Sequence, residues 1–511
     1  MKKIVFGSLF FSVLHSILFW NQELGISMVI FVGGLNFYFY KILAESNKIK
    51  NKKALFWLIP ILLLSSSYFI FNNELFRILN GFVIPVLFIV MLIELEEKEI
   101  QAKGFFWNIL GCFIRPINKI GEALDKIREK REEITGELQG WEKIKLFFKS
   151  VLIILPVIIV VLLLLSSADE SFASIFDGIG DFISGILWNG NFIDFFIRIL
   201  ILVIVLFYIL SFSYQLVREK CLQQETKDIE EFSMWTEEEK RKMVEDEKRK
   251  GNFTSKLLLI SLNLIYLVFV LVQIKNFILT TKNIDENFGY SSYARQGFFQ
   301  LMVVSLINIL VLLKLRITKN RNRKDKKLKV LGIFLLVFTI CLDLIAGMRM
   351  FLYEQEYGYT YLRLLVYFVL ITEIIITIPI FISLSGKKIN VFRSILIIIS
   401  VTYVGLNFIN IDNLIARNNI NRYLKDPENV DLDMSYILYS TGIDATKQKV
   451  RVLSLGTSNL SVEAKEKLKN DQDMTRNYLE IQKEYIKNKD SSIFEFNLSE
   501  FRAENLLDNL K

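Results

Sequence analysis

Long apolar blocks separated by charged stretches set the pattern of this chain. Val151–Leu165 (VLIILPVIIVVLLLL) carries no charged residue at all. A water-soluble helix keeps a polar face, and this block has none. About twenty apolar residues cross the hydrocarbon core of a bilayer. Windows of that size predict spans at Ile4–Trp20, Leu24–Leu43, Ala54–Phe71, Leu75–Ile93, Phe148–Ser166 and Phe192–Gln215. Further spans follow at Phe253–Ile274, Gly297–Leu313, Val330–Met350, Tyr361–Leu384 and Ser394–Ile411. The predicted fold is therefore all-α: a polytopic transmembrane helical bundle of about eleven spans with a small helical tail.

The connections between these blocks alternate in charge. Lys2, Lys3, the Lys48/Lys50/Lys52/Lys53 cluster, the segments Glu94–Phe147 and Val217–Asn252, the run Lys314–Lys329 and Lys387/Lys388/Arg393 all fall on one side. The opposite connections are short turns, the Ser167–Asp194 loop without Lys or Arg, a loop holding only Lys282 and Arg295, and the uncharged-to-acidic Phe351–Thr360. Basic residues are retained in the cytoplasm during insertion, so the first set is expected inside. An odd number of spans then places the tail after Ile411 on the extracytoplasmic side. The opening MKKIVFGSLFF is not followed by a small-x-small cleavage site, and it is expected to remain as the first span.

This pattern divides the chain into four parts. Residues 1–93 form a four-helix membrane segment, 94–147 a cytoplasmic charged and interfacial loop, 148–411 a membrane domain of about seven spans, and 412–511 a water-exposed helical tail. The 94–147 loop opens with FFWNILGCFIRPI, suited to the interface, and continues as a mixed-charge helix around Glu122–Glu137. Val217–Asn252 reads as a second charged helix held by i,i+4 pairs. In Ser167–Asp194, Phe172, Phe176, Ile179 and Ile183 share one helical face, as in a helix lying on the membrane.

Composition narrows the chemistry. Apolar residues make up 52% of the 511 positions, and the mean hydropathy is +0.38. The single histidine, His15, lies inside the first apolar block, which argues against Ser-His-Asp catalysis and histidine-rich metal centres. Cys112, Cys221 and Cys341 are far apart and offer no disulfide framework. The tail holds no P-loop, dinucleotide-binding glycine pattern or metal-ligand spacing, so no cofactor is expected. The formal charge of +8 is distributed between spans, where it meets anionic lipid headgroups rather than nucleic acid. The expected partners are the lipid bilayer and an envelope or membrane protein.

Several long polar stretches cluster at the side opposite the basic loops. They are SADESFASIF at Ser167–Phe176, YSSYARQGFFQL at Tyr290–Leu301, RMFLYEQEYGYTYLRL at Arg349–Leu364, NIDNLIARNNINRY at Asn410–Tyr423 and DLDMSYILYSTGIDA at Asp431–Ala445. Together they resemble the uncharacterised bacterial multi-pass membrane family called domain of unknown function 4173, and the related group 4153 has a similar tail signature. A proline usually follows the last motif in that family, whereas Thr446 stands here. The resemblance implies a bacterial cell-membrane protein with a shared helical architecture. It brings no activity and no catalytic residue.

The candidate surface comprises Tyr290, Tyr293, Arg295, Arg349, Tyr353, Glu354, Tyr357, Arg363, Asp412 and Arg417. An aromatic belt at headgroup depth accounts for many of the tyrosines. The arginines can hold a phosphate or carboxylate in bidentate fashion, or pair with Glu354, Glu356 and Asp412 as structural glue; pairing is the first expectation. Asp343 and Glu373 stand out within the spans, Glu373 about 18 Å inward from Tyr361 by helix rise. Intramembrane acids mark a pathway, a relay or an internal bond, here to Asn263 or another buried polar group. The leading expectation is an outward-facing recognition, sensory or scaffolding role in the envelope, without catalysis. A secondary transporter using the two acids is the alternative. A polytopic glycosyltransferase-like enzyme using Asp169 and Glu170 is a further one, though two adjacent acids are a weak metal signal.

Overall fold

The computed structural model describes residues 2–96, 105–135, 190–218, 237–282, 297–319, 326–456, 461–489 and 492–510. Among these there are sixteen α-helices and no strands. Nine helices among the described residues are long and apolar enough to cross a membrane. A tenth apolar helix, Phe298–Lys314, is shorter. The expected span Phe148–Ser166 and the Ser167–Asp194 motif, apart from its last few residues, lie outside the described residues. The all-α, polytopic reading of the apolar blocks is thus borne out.

The chain forms two compact units: Met1–Gln224 with Lys489–Phe501, and Glu225–Asn488 with Arg502–Lys511. The first unit contains α1 (Lys2–Phe19), α2 (Ile26–Glu45), α3 (Leu58–Ile70), α4 (Glu74–Glu96), α5 (Phe105–Thr135) and α6 (Gly190–Arg218). Helix α1 packs on α2 and α6, α2 on α3, and α5 on α6. Helix ends leave carbonyls without intrahelical partners. At the end of α4, the Leu95 carbonyl accepts from the Lys50 and Asn51 amides at 2.8 and 3.2 Å. Beside it, the Trp57 indole N–H donates to Glu94 Oε2 at 2.6 Å, and Asn51 Nδ2 donates to Oε1 at 3.3 Å. A carboxylate that is only 1% exposed is thereby satisfied.

The segment 489–501 folds onto the opposite ends of these hairpins. Asn497 Nδ2 donates to the Tyr68 and Phe71 carbonyls, both at 2.9 Å, where α3 has run out of amide partners. Its Oδ1 accepts from the Ser499 and Glu500 amides, capping α16 (Leu498–Asp508). Lys489 Nζ lies 2.8 Å from both Glu23 and Glu500, and Asn72 Nδ2 donates to Glu500 Oε1 at 2.7 Å. Gly25, at the start of α2, admits this segment: a Cβ there would lie 2.7 Å from the backbone of Glu495.

The second unit is built around α9 (Lys326–Tyr357), which packs on α7 (Glu237–Lys282), α8 (Phe298–Lys319) and α10 (Tyr361–Leu384). Helix α10 also packs on α8 and on α11 (Val391–Phe408). Leu312, Leu335, Leu336, Ile380 and Leu384 are at the heart of one apolar cluster, and Leu342, Ala346, Met350, Val366 and Leu370 of another nearer the Tyr357 end. The charged residues from Glu237 onward continue into the apolar part of α7 as one helix instead of forming a separate one.

After α11 the chain enters a small helical module, α12 (Ile411–Lys425), α13 (Met434–Tyr439), α14 (Thr446–Leu453) and α15 (Val462–Asn488). Asn410 caps α12 by accepting from the Asn413 amide at 2.9 Å, and Asp433 caps α13 by accepting from the Tyr436 amide at 2.9 Å. Ile420, Ile437, Leu438, Ala445, Val452 and Leu468 fill its core. Thr446 occupies the first position of α14, where a proline is readily accommodated. Its hydroxyl donates to the Ile443 carbonyl at 2.6 Å and accepts from Gln482 Nε2 at 2.8 Å. The departure at this position leaves the helix start intact.

Lys449 lies within this module and is fully buried. Its ammonium donates to the carbonyls of Thr441, Leu438 and Gly442 at 2.8, 3.1 and 3.3 Å. It also sits 4.5 Å from the centre of the Tyr478 ring. Burial lowers its pKa to about 8, with Asp412 pulling in the opposite direction.

Candidate functional site

The ends of α8, α9 and α10 nearest Phe298, Tyr357 and Tyr361 gather most of the predicted surface residues that can be placed. Helix α9 stops because Gly358 takes φ +79°, and its amide donates to the Glu354 carbonyl at 2.7 Å. The next residue is held from both sides by Asn419 of α12. Asn419 Oδ1 accepts from the Tyr359 amide at 2.7 Å, and Nδ2 donates to the Tyr359 carbonyl at 2.9 Å. Arg422 donates to the carbonyls of Gln355, at 2.9 Å, and Glu356. Tyr361 opens α10 with its amide donating to the Tyr436 hydroxyl at 3.1 Å. Side chains of the module thus take up the backbone groups exposed where α9 turns into α10.

Arg363 projects from the first turn of α10 over the Tyr353 ring, 4.5 Å from its centre, and 5.9 Å from that of Tyr357. Its Nη1 donates to the Gly358 carbonyl. Tyr353 and Tyr357 are themselves in contact, with ring centres 4.8 Å apart, and Phe298 stacks on Tyr353 at 6.4 Å. Cation–π contact fixes the guanidinium without consuming its remaining N–H groups. Below it opens a cavity of about 1150 Å³, with Phe298, Met302, Tyr353, Arg363, Val366 and Val369 among its lining residues. Its walls are largely apolar, and Arg363 supplies a cation.

Arg349, one turn before Tyr353 on α9, is mostly buried; its Nη2 donates to Gln273 Oε1 at 2.8 Å. Glu354 is 2% exposed and faces Tyr359, Tyr367 and Arg363. Arg363 and Arg422 also bind backbone carbonyls, and Arg363 the Tyr353 ring, beside the Glu354 carboxyl. Asp412 is buried in the module at 1% exposure, whereas Arg417 of the same helix is exposed. Tyr290, Tyr293 and Arg295 lie outside the described residues. Asn419, Arg422 and Tyr436 were not among the predicted site residues, although all three belong to the quoted motifs. Their value lies in reaching across to the backbone of another motif, which spacing along the chain does not reveal.

Deeper in the second unit, Asp343 of α9 and Glu373 of α10 approach each other between the helices. Ser305 of α8 lies between them and the helix backbone. Its Oγ is 2.8 Å from the Met302 carbonyl and also within hydrogen-bond reach of Glu373 Oε2. Of the partners expected for Glu373, Asn263 donates to the Leu331 carbonyl at 3.0 Å, and another buried polar group, Ser305, lies against the carboxyl. Asp343 is 1% exposed and Glu373 4% exposed. Among the described residues no group of three or more His, Cys, Asp or Glu side chains is arranged to hold a metal ion.

No curated protein and no solved structure matches this chain. A family does. The family described as domain of unknown function (DUF4153) matches residues 58–449, a stretch that contains the α8–α10 cavity, both intramembrane acids and the start of the helical module. The resemblance to group 4173 rests on the motifs alone. With most of its length matched, the chain belongs to the family of domain of unknown function 4153.

Proposed function

We propose that this integral membrane protein presents an outward-facing recognition surface in the envelope of a bacterium, and that the surface takes an amphiphile with an anionic headgroup. The observation that carries the reading is the cavity between α8, α9 and α10. Its apolar walls suit an acyl chain, and Arg363 stands against Tyr353 and Tyr357 with N–H groups to spare. A charge-assisted hydrogen bond from a preorganised guanidinium to a phosphate or carboxylate is roughly twice as strong as a neutral one. Recognition without turnover fits a lining whose polar side chains are a fixed cation, two phenols, an amide and a hydroxyl. In a sensory or scaffolding role, occupancy of this cavity is what the protein would report.

Arg363→Gln is expected to weaken binding of phosphatidylglycerol by about tenfold while leaving phosphatidylcholine binding unchanged. Native mass spectrometry of the detergent-solubilised full chain, titrated with each lipid, measures this. Arg363→Lys, which keeps the charge but loses the planar fork, should fall between the two. Equal retention of both lipids by wild type and Arg363→Gln would sink the reading.

The proposed orientation follows the charge alternation: Lys2, Lys3, Lys48–Lys53 and Lys314–Lys329 cytoplasmic, with the α12–α15 module outside the cell membrane. A phosphatase reporter, active only outside the cytoplasm, is expected to be active when fused after Lys511 and silent when inserted near Lys326. The reverse pattern would invert the protein.

A further inference from the structure

Between α8, α9 and α10, two carboxyls and one hydroxyl meet with too few hydrogens to satisfy them. The Ser305 hydroxyl has one hydrogen. Its 2.8 Å neighbour, the Met302 carbonyl, can only accept, and Glu373 Oε2 is within reach on another side. When Ser305 gives its hydrogen to Met302, a bond to Glu373 exists only if the Glu373 carboxyl carries a proton and donates it. Asp343 adds a second demand. Both of its oxygens are buried without a well-formed hydrogen bond, while the carboxyl faces Ser305 and Glu373. Two ionised carboxylates at one water-poor site repel each other and lose their hydration, so positive charge must accompany them.

Among the described residues, the surrounding helices supply polar groups but no cation within hydrogen-bond distance of the pair. From α7, the Tyr266 hydroxyl donates to Asn308 Oδ1 at 2.9 Å. Helix α8 supplies Ser305 and, one turn along, Asn308, whose Nδ2 is buried without an acceptor. Helix α9 supplies Asp343 and α10 supplies Glu373. The next basic residue along α9, Arg349, is about 9 Å further by helix rise and is engaged with Gln273.

We propose that Asp343, Glu373 and Ser305 form a binding site for a small monovalent cation, with a proton shared between the two carboxyls as its simplest occupant. The site is separate from the headgroup surface and does not depend on it. Three oxygen-bearing side chains from three helices converge there, and movement of any one helix changes the affinity for the bound charge.

Dicyclohexylcarbodiimide, an apolar reagent, tests for the proton in the full chain. A protonated carboxyl gives its proton to a carbodiimide nitrogen while its oxygen adds to the central carbon; rearrangement to the N-acylurea retains every atom. Peptide mapping is expected to find the adduct on Glu373 or Asp343, and its yield is expected to fall as the pH is raised and the shared proton is lost. In Glu373→Gln, the adduct at position 373 should vanish, and Asp343→Asn should alter the pH profile of labelling at Glu373. Sodium chloride that suppresses labelling at fixed pH, where choline chloride does not, would identify an alkali-metal ion as a competing occupant; no sodium effect assigns the site to the proton alone. The wild type minus Glu373→Gln infrared spectrum should also contain a protonated-carboxyl C=O band. Absence of that band together with absence of labelling, or labelling independent of pH, overturns the proposal.

Discussion

Lys449→Ala is expected to destabilise the α12–α15 module by about 3–5 kcal/mol. The truncation removes the donor for the Leu438, Thr441 and Gly442 carbonyls and leaves a void in the module's core. Unmet carbonyls and an unfilled cavity are separate costs, and here they fall on one residue. Lys449→Met separates them, since its stem fills most of the space but its sulfur donates nothing. It should therefore cost less than alanine. Hydrogen exchange of the α13–α15 peptides in the full chain, read by mass spectrometry, should accelerate by roughly two to four orders of magnitude in the alanine variant. Unchanged protection would mean that the buried ammonium contributes nothing net.

The same lysine gives the module an unusual response to pH. Burial lowers its pKa to about 8, whereas the unfolded chain holds the proton until near 10.5. Between those values the unfolded state binds more protons, so stability rises with pH. Below pH 8 the contribution is flat. Relative to Lys449→Met, which has nothing to titrate, the wild-type module should gain about 2 kcal/mol between about pH 7 and about pH 9.5. Exchange protection compared between the two proteins at each pH gives the sign directly, and a difference that falls with pH would contradict it.

Asn497→Ala should release the 489–501 segment from the first unit, at a cost of about 2–4 kcal/mol. One side chain serves four backbone groups here: two carbonyls at the end of α3 and two amides at the start of α16. Asn497→Asp is the more telling change. It keeps the acceptor for the α16 amides but turns a donor into a negative oxygen facing two carbonyls. The aspartate should therefore detach the segment at least as completely as alanine, despite being a good helix cap. Gly25→Ala attacks the same contact from the other partner, because the added Cβ meets Glu495 backbone that cannot rotate away. Limited proteolysis should cleave within 489–501 in all three variants and spare it in wild type. A resistant Asn497→Asp protein would remove the basis for this account.

Much of the membrane architecture could be read from the chain because a single cause, the exclusion of charge from hydrocarbon, writes itself into contiguous stretches. Among the described residues the apolar blocks became helices, most with ends within a few residues of those expected, although α7 begins at Glu237, well before Phe253. Candidate sites were less legible. Tyr353, Tyr357 and Arg363 lie within one turn and a short loop of each other, and they do form a cluster. Asp343 and Glu373 stood out because acids within spans are costly, yet their partner Ser305 is an unremarkable serine in an apolar helix. Lys449 and Asn497 gave no signal at all. Each looks like an ordinary polar residue of an amphipathic stretch, and its role depends on backbone carbonyls brought close only by the finished fold.

The contact between Asn497 and the Tyr68 carbonyl joins positions 429 residues apart. Ribosomes add about 5–20 residues per second, so Asn497 follows Tyr68 out of the ribosome by roughly 20–90 s. During that interval α1–α4 are already made, but Asn497 is not there to bridge the Tyr68 and Phe71 carbonyls, and Glu495 is not there to lie against Gly25. The first hairpins therefore wait through most of synthesis for a segment not yet translated. Quality-control proteases and insertion factors would meet them in that state, and completion of the first unit becomes a record that translation has passed Asn497.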